Sequence, residues 1–116
     1  MIYKLLYIGT LLLALQCNQK VNQHYSSEEI FGEWTLIEDQ TNYPTLQFNK
    51  DSTAIFRSKA DTMYFFRFNI KDDSLDLLDI NNKKVVNKIK TLNSNRLIFY
   101  NLLEHNEVQV YKRESK

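Results

Sequence analysis

The chain has 116 residues, with 15 basic against 14 acidic side chains and a formal net charge of +1. That length holds one small domain and not two, and near-neutrality excludes a partner recognised through overall charge, nucleic acid above all. With one cysteine in the sequence there is no internal disulfide, so burial and backbone pairing must hold the domain together.

Lys4 places a positive charge near the amino terminus, and Leu5 to Leu15 form an apolar run of eleven residues. Such a run fits the core of a secretory leader and is well short of the ~20 residues of a spanning helix. The lone cysteine, Cys17, stands where this run gives way to polar Asn18, Gln19 and Lys20. The junction resembles the lipidation site of a bacterial lipoprotein. The resemblance implies a signal peptide over 1–16, a lipid-modified Cys17, and a polar tether over 17–27 ahead of a domain at 28–116. An ordinary signal peptide and an uncleaved anchor are the alternatives. The former wants a small-x-small pattern, and Ala14 is followed two positions later by Gln16. Asn18 to Gln23 carries no acidic residue, and the expected location is the periplasmic side of an envelope membrane.

Beyond the tether, Ser26-Ser27-Glu28-Glu29 offers a capping pattern before Ile30 and Phe31, which predicts one short helical turn stopped at Gly32. The remainder alternates with the period of strands. Trp34, Leu36 and Glu38 share a face, then Leu46 and Phe48, then Ala54 and Phe56 after the turn Asn49-Lys50-Asp51-Ser52. Tyr64, Phe66, Phe68 and Ile70 alternate with Met63, Phe65, Arg67 and Asn69. Leu75 to Ile80, Val85 to Leu92, Arg96 to Leu103 and Val108 to Arg113 complete the series, with Asn81-Asn82 as a hairpin turn. Gly32 is the only glycine after the leader, so asparagine is expected to serve the left-handed turn positions. Short strands at this spacing predict an all-β protein, an eight-stranded antiparallel up-and-down barrel, because closure removes unpaired edges.

Gly32-Glu33-Trp34, at the start of the first strand and just after a helical turn, resembles the Gly-x-Trp signature that opens the lipocalin fold. Leu46 to Ala54 resembles the strand–turn–strand of small lipocalin-like domains in bacterial lipoproteins. Leu75-x-Leu77 and Leu97-x-Phe99 resemble that family's later strands. The resemblance spans residues 30 to 113. It implies that Trp34 plugs the closed end of the barrel beneath a basic residue of the last strand, and Arg113, on the same strand face as Tyr111, is the candidate.

No catalytic constellation is visible. His24 and His105 have no further histidine or cysteine at ligand spacing, Asp76 and Asp79 point to opposite strand faces, and no glycine-rich loop is present. A non-enzymatic monomer without metal or cofactor is therefore expected. Lys84, Lys88 and Lys90 share a strand face, which reads as a solvated outer surface ahead of a patch for anionic headgroups. Two functions remain. A barrel can enclose a small hydrophobic molecule, lined here by Leu36, Phe48, Phe56, Tyr64, Phe66, Phe68 and Phe99, with Leu46, Leu77, Ile89 and Leu97 on the same inward faces. Alternatively the core is filled, and the domain meets an envelope protein through an outer face bearing Met63 and Phe65.

Overall fold

A computed structural model describes residues 24–37 and 43–114. The apolar leader, Cys17 and Glu38 lie outside the described residues. A short helix α1 (Ser27–Ile30) precedes eight strands: β1 (Gly32–Leu36), β2 (Thr45–Phe48), β3 (Thr53–Arg57), β4 (Met63–Lys71), β5 (Ser74–Leu78), β6 (Lys84–Leu92), β7 (Arg96–Phe99) and β8 (Gln109–Arg113). Each strand pairs antiparallel with the next, and β1 pairs with β8 to close the barrel. Among the described residues no helix is long and apolar enough to cross a membrane.

Alternation sets the inward face. Trp34, Leu46, Phe48, Ala54, Phe56, Phe68, Leu75, Leu77, Ile89, Leu97, Phe99 and Tyr111 are buried. The intervening Arg57, Arg67, Lys84 and Lys88 lie outside. Inside, aromatic rings pack edge to face in a column. Phe31 meets Phe68 at 6.3 Å between ring centres, Phe68 meets Phe48 at 5.1 Å, and Phe48 meets Phe56 at 5.8 Å. Phe56 in turn meets Phe66 at 5.0 Å and Tyr43 at 5.8 Å. Such offset contacts add roughly 0.5–1.5 kcal/mol each to the burial of the rings.

Two predicted strands end early, each for a local reason. The strand expected to reach Ile80 stops at Leu78, because the Asp79 carboxylate accepts the Asn81 and Lys83 amides at 2.8 and 2.9 Å and folds the chain into a turn. The strand expected to reach Leu103 stops at Phe99 and is followed by a 3-10 turn (Leu102–Glu104). The left-handed turn positions also depart from expectation. Among the described non-glycine residues they fall at Tyr43, Ser52, Asp61, Asp72, Asn82, Leu103 and Glu104, so asparagine serves only one of the seven. Asn93 acts differently: its side-chain oxygen accepts the Asn95 and Arg96 amides at 2.9 and 2.8 Å, an Asx turn that needs no left-handed residue. β6 carries a bulge between Ile89 and Thr91 that brings Leu92 back onto the inner face.

One end of the barrel is closed by α1, whose capping box is held by the Ser26 amide donating to the Glu29 carboxylate at 2.9 Å. The Trp34 indole N–H donates to the Ile30 carbonyl at 2.9 Å. The Arg113 guanidinium lies over the indole ring, 4.2 Å from its centre. It donates to the carbonyls of Phe31 (2.6 Å), Glu29 (2.7 Å) and Ser94 (2.8 Å). Gly32 has φ +119°, and a Cβ there would stand 2.9 Å from Arg113 Nη1. Only glycine meets both conditions without strain.

Two measurements check this arrangement. Truncating Trp34→Ala is expected to cost about 3–5 kcal/mol of unfolding free energy, read from a urea midpoint. Gly32→Ala, which forces an L residue into that backbone region, should cost about 1–3 kcal/mol. A Trp34→Ala protein melting within a few degrees of wild type would show that the plug bears little of the fold's stability.

Candidate functional site

Among the described residues, the opposite end of the barrel is bordered by the chain around Tyr43, the β3–β4 and β5–β6 turns, and the 3-10 turn after β7. A cleft of about 440 Å³ lies there, within the ~300–1,000 Å³ range of small-molecule sites. Its wall is Tyr43, Tyr64, Phe66, Val85 and Leu103, and its rim carries Asp79, Asn81, Lys83 and Glu104. The aromatic column forms the floor, since Phe66 and Tyr43 both rest on Phe56.

Each wall residue is set by its element. Tyr64 and Phe66 occupy the inward positions of β4 nearest the opening, and Tyr64 remains 42% exposed although it faces inward. Tyr43 precedes Pro44, whose carbonyl accepts the Leu36 amide at 2.9 Å. The Tyr43 backbone carbonyl accepts the Tyr111 hydroxyl at 2.9 Å, and its ring stands edge-on to Tyr64 at 5.6 Å. Burial, then the neighbouring Tyr64 phenol, pushes the Tyr43 hydroxyl above its ordinary pKa. Leu103 has left-handed backbone angles, φ 52° and ψ 44°, a conformation costing roughly 1–2 kcal/mol for a side chain of this kind.

What holds Leu103 there is Asn87, a fully buried amide on the inner face of β6. Its Oδ1 accepts the Leu103 amide at 2.7 Å, while its Nδ2 donates to the carbonyls of Leu75 (3.0 Å) and Val85 (3.2 Å). A second inward amide, Gln109, is also buried, and its Oε1 has no hydrogen-bond partner among the described residues.

Of the side chains expected to line a ligand, only Tyr64 and Phe66 border this cleft. Phe48, Phe56, Phe68 and Phe99 are buried below it, and Leu36 packs half-buried against the same core. They face inward as the alternation requires, but their side chains are taken up by packing within the core and none of them borders the cleft. Tyr43, Val85 and Leu103 complete the wall and were not expected. Val85 could have been found, since it shares the inward register of Ile89. The position of Leu103 depends on the buried amide sixteen residues upstream.

Other polar groups are engaged locally. His24 approaches Asp72 at 2.8 Å, and Lys84 pairs with Asp76 at 3.4 Å. Lys88 pairs with Asp73 at 2.8 Å; this hydrogen bond lowers the Asp73 carboxyl and raises the Lys88 ammonium from their ordinary pKa values. Lys90 lies over the Tyr100 ring at 5.9 Å. Among the described residues, no group of three or more His, Cys, Asp or Glu side chains is placed to hold a metal ion.

No protein-family model and no curated protein matches the chain. Among solved structures, the barrel is similar to a lipocalin-like protein from Bacteroides uniformis, with a TM-score of 0.51 at 17% identity. The match covers 75% of this chain and 99% of that one. The fold is thus a lipocalin-like closed barrel of eight strands.

The buried Tyr111 phenol, which supports Tyr43 from below, generates a pH prediction. Burial, then the nearby Tyr43, raises its pKa far above the ordinary value of 10.0. The unfolded chain loses this proton near pH 10 and the folded one keeps it, so stability is complete below that pH and falls as pH rises, by about 1.4 kcal/mol per pH unit. Tyr111→Phe should be less stable at neutral pH by about 1 kcal/mol, for the lost hydrogen bond to Tyr43, with a shallower alkaline limb. Parallel alkaline limbs for mutant and wild type in urea titrations would refute the role of Tyr111.

Proposed function

We propose that this chain is a lipid-anchored envelope protein that binds a small hydrophobic molecule at the mouth of its barrel, and that it carries out no chemistry. The observation that supports the reading is the aromatic-walled cleft of about 440 Å³ resting on a filled core. A site built this way has firm walls, because the rings beneath it are packed before any ligand arrives. The ligand displaces water from Tyr43, Tyr64 and Phe66 and gains mainly from burial, which is worth roughly 25 cal/mol per Å² of apolar area. The rim groups Asp79, Asn81, Lys83 and Glu104 remain in water to meet a polar end.

Two experiments bear on the two halves of the proposal. For binding, fluorescent fatty-acid-like probes are titrated into wild type, Tyr64→Ala and Phe66→Ala. Losing the contact of a buried ring is worth about 1.5–3 kcal/mol, so affinity should fall by about tenfold to a hundredfold in each variant. Tyr64→Ala should retain most of its stability, since that ring is partly exposed at the rim. A wild type that binds no probe would favour the competing reading, a filled barrel that meets another envelope protein through its surface.

For anchoring, the support is Cys17 at the end of the apolar leader. Cys17→Ser is expected to move the protein from the membrane to the aqueous fraction, and intact wild type should carry added lipid mass on the fragment containing Cys17. A membrane-bound Cys17→Ser protein together with an unmodified thiol in wild type would overturn the lipoprotein reading.

A further inference from the structure

The barrel wall is incomplete beside the mouth. β4 is nine residues long and pairs with β3 as far as Met63, the partner of Arg57. Its other edge pairs with β5 only from Arg67 to Lys71, opposite Leu78 to Ser74. Continuing that register would set Phe66 against Asp79 and Phe65 against Ile80. Instead Asp79 turns the chain away: its amide donates to the Lys83 carbonyl at 3.0 Å, its carbonyl accepts the Asn82 amide at 3.0 Å, and its carboxylate holds Asn81 and Lys83. The β5–β6 turn is therefore satisfied within itself and takes no ladder bond from Met63 to Phe66.

The consequence is visible on both sides of the wall. Inside lies the mouth cleft. Outside, over Ile55, Phe65 and Leu78, lies a second cleft of about 560 Å³. Phe65, Phe66, Asp79 and Ile80 border both. Phe66 points inward and Phe65 outward, so the main chain joining them forms one lip of a lateral slot, and Asp79-Ile80 forms the other. Ile80 is 81% exposed and Phe65 is 52% exposed, large apolar side chains left in water at this lip.

The geometry points to a single extended site that runs from the mouth through this slot onto the outer surface, and to a ligand of matching form: a single-chain amphiphile with an acyl-type tail. This inference rests on the binding reading above and specifies its ligand class. A compact ligand would fill the mouth and leave Ile80 and Phe65 uncovered. A flexible chain places one segment against Tyr43, Tyr64 and Leu103 and lays the next across Phe65, Ile80 and Ile55. The four residues shared by the two clefts set the outer cleft directly beside the mouth, and the apolar Phe65 and Ile80 at that lip match the tail as its occupant. Since each buried methylene adds about threefold to fourfold in affinity, binding should keep strengthening with chain length after the mouth is full.

The test uses the full chain and two photoreactive fatty acids, one of eight carbons and one of sixteen, each with a diazirine at its terminal carbon. Peptide mass spectrometry then locates the adducts. The short probe should label the mouth, at Tyr43, Val85 or Leu103. The long probe should label the outer cleft, at Ile55 or Leu78, which border that cleft and not the mouth. In Ile55→Asp, outer labelling by the long probe should fall at least tenfold while mouth labelling by the short probe persists. Mouth labelling by both probes with none outside would overturn the slot and leave the binding reading standing. Labelling by neither would overturn both. Absence of outer labelling in a dimer that Ile55→Asp dissolves would overturn the proposal in favour of a second copy of the chain as the occupant.

Discussion

Arg113 is the residue on which the closed end depends. Its guanidinium covers the Trp34 indole and donates to three backbone carbonyls, from Glu29, Phe31 and Ser94. These belong to three separate places: the last turn of α1, the entry to β1, and the β6–β7 turn. A planar cation with several fixed donors can satisfy all three while its flat face rests on an aromatic ring; a lysine ammonium, with no planar fork, cannot. The first and last strands of the barrel thereby meet at a single cation, and pairing of β1 with β8 follows from it as Trp34 opposite Arg113. Closure removes the exposed edges that a strand-rich chain with little glycine would otherwise present.

From that end upward the interior changes character. Near α1 it is a column of phenylalanine rings in edge-to-face contact. Near the mouth the rings become tyrosines, Tyr43 and Tyr64, whose hydroxyls suit a boundary with water. Two polar side chains shape this upper region from opposite directions. Asn87 sits inside the barrel and pulls the strained Leu103 turn down onto the rim. Asp79 sits at the end of β5 and takes the chain away from β4. One encloses the mouth and the other opens its side. Both do so through hydrogen bonds to backbone amides, which are directional enough to hold a turn in place.

How much of this was legible follows from what a two-residue period encodes. It tells which face of a strand a residue occupies, and the inward set from Leu46 to Phe99 was readable for that reason. It carries no information on height along the barrel axis, which depends on strand stagger. Phe48 and Phe66 are therefore equivalent in the sequence, yet one is core and the other lines the cleft. The ends of β5 and β7 were misread on similar grounds. Asp79 and Asn87 look like ordinary polar residues at a turn and in a strand, and their effect comes from partners that only the folded chain brings within reach. Gly32 was legible through its context. The Gly-x-Trp triplet alone is a weak signal and takes its weight from the helical turn before it and the strand it opens; the positive φ of Gly32 beneath Arg113 accounts for the glycine.

The placement of the one tryptophan has a spectroscopic consequence. Trp34 is fully buried at the closed end, separated from the mouth by the length of the phenylalanine column. Its emission therefore responds directly to disruption of the plug. The chromophores that a guest would touch are Tyr43 and Tyr64, which stand 5.6 Å apart at the opening. A guest thus perturbs phenols first, and the single indole reports most directly on the closed end.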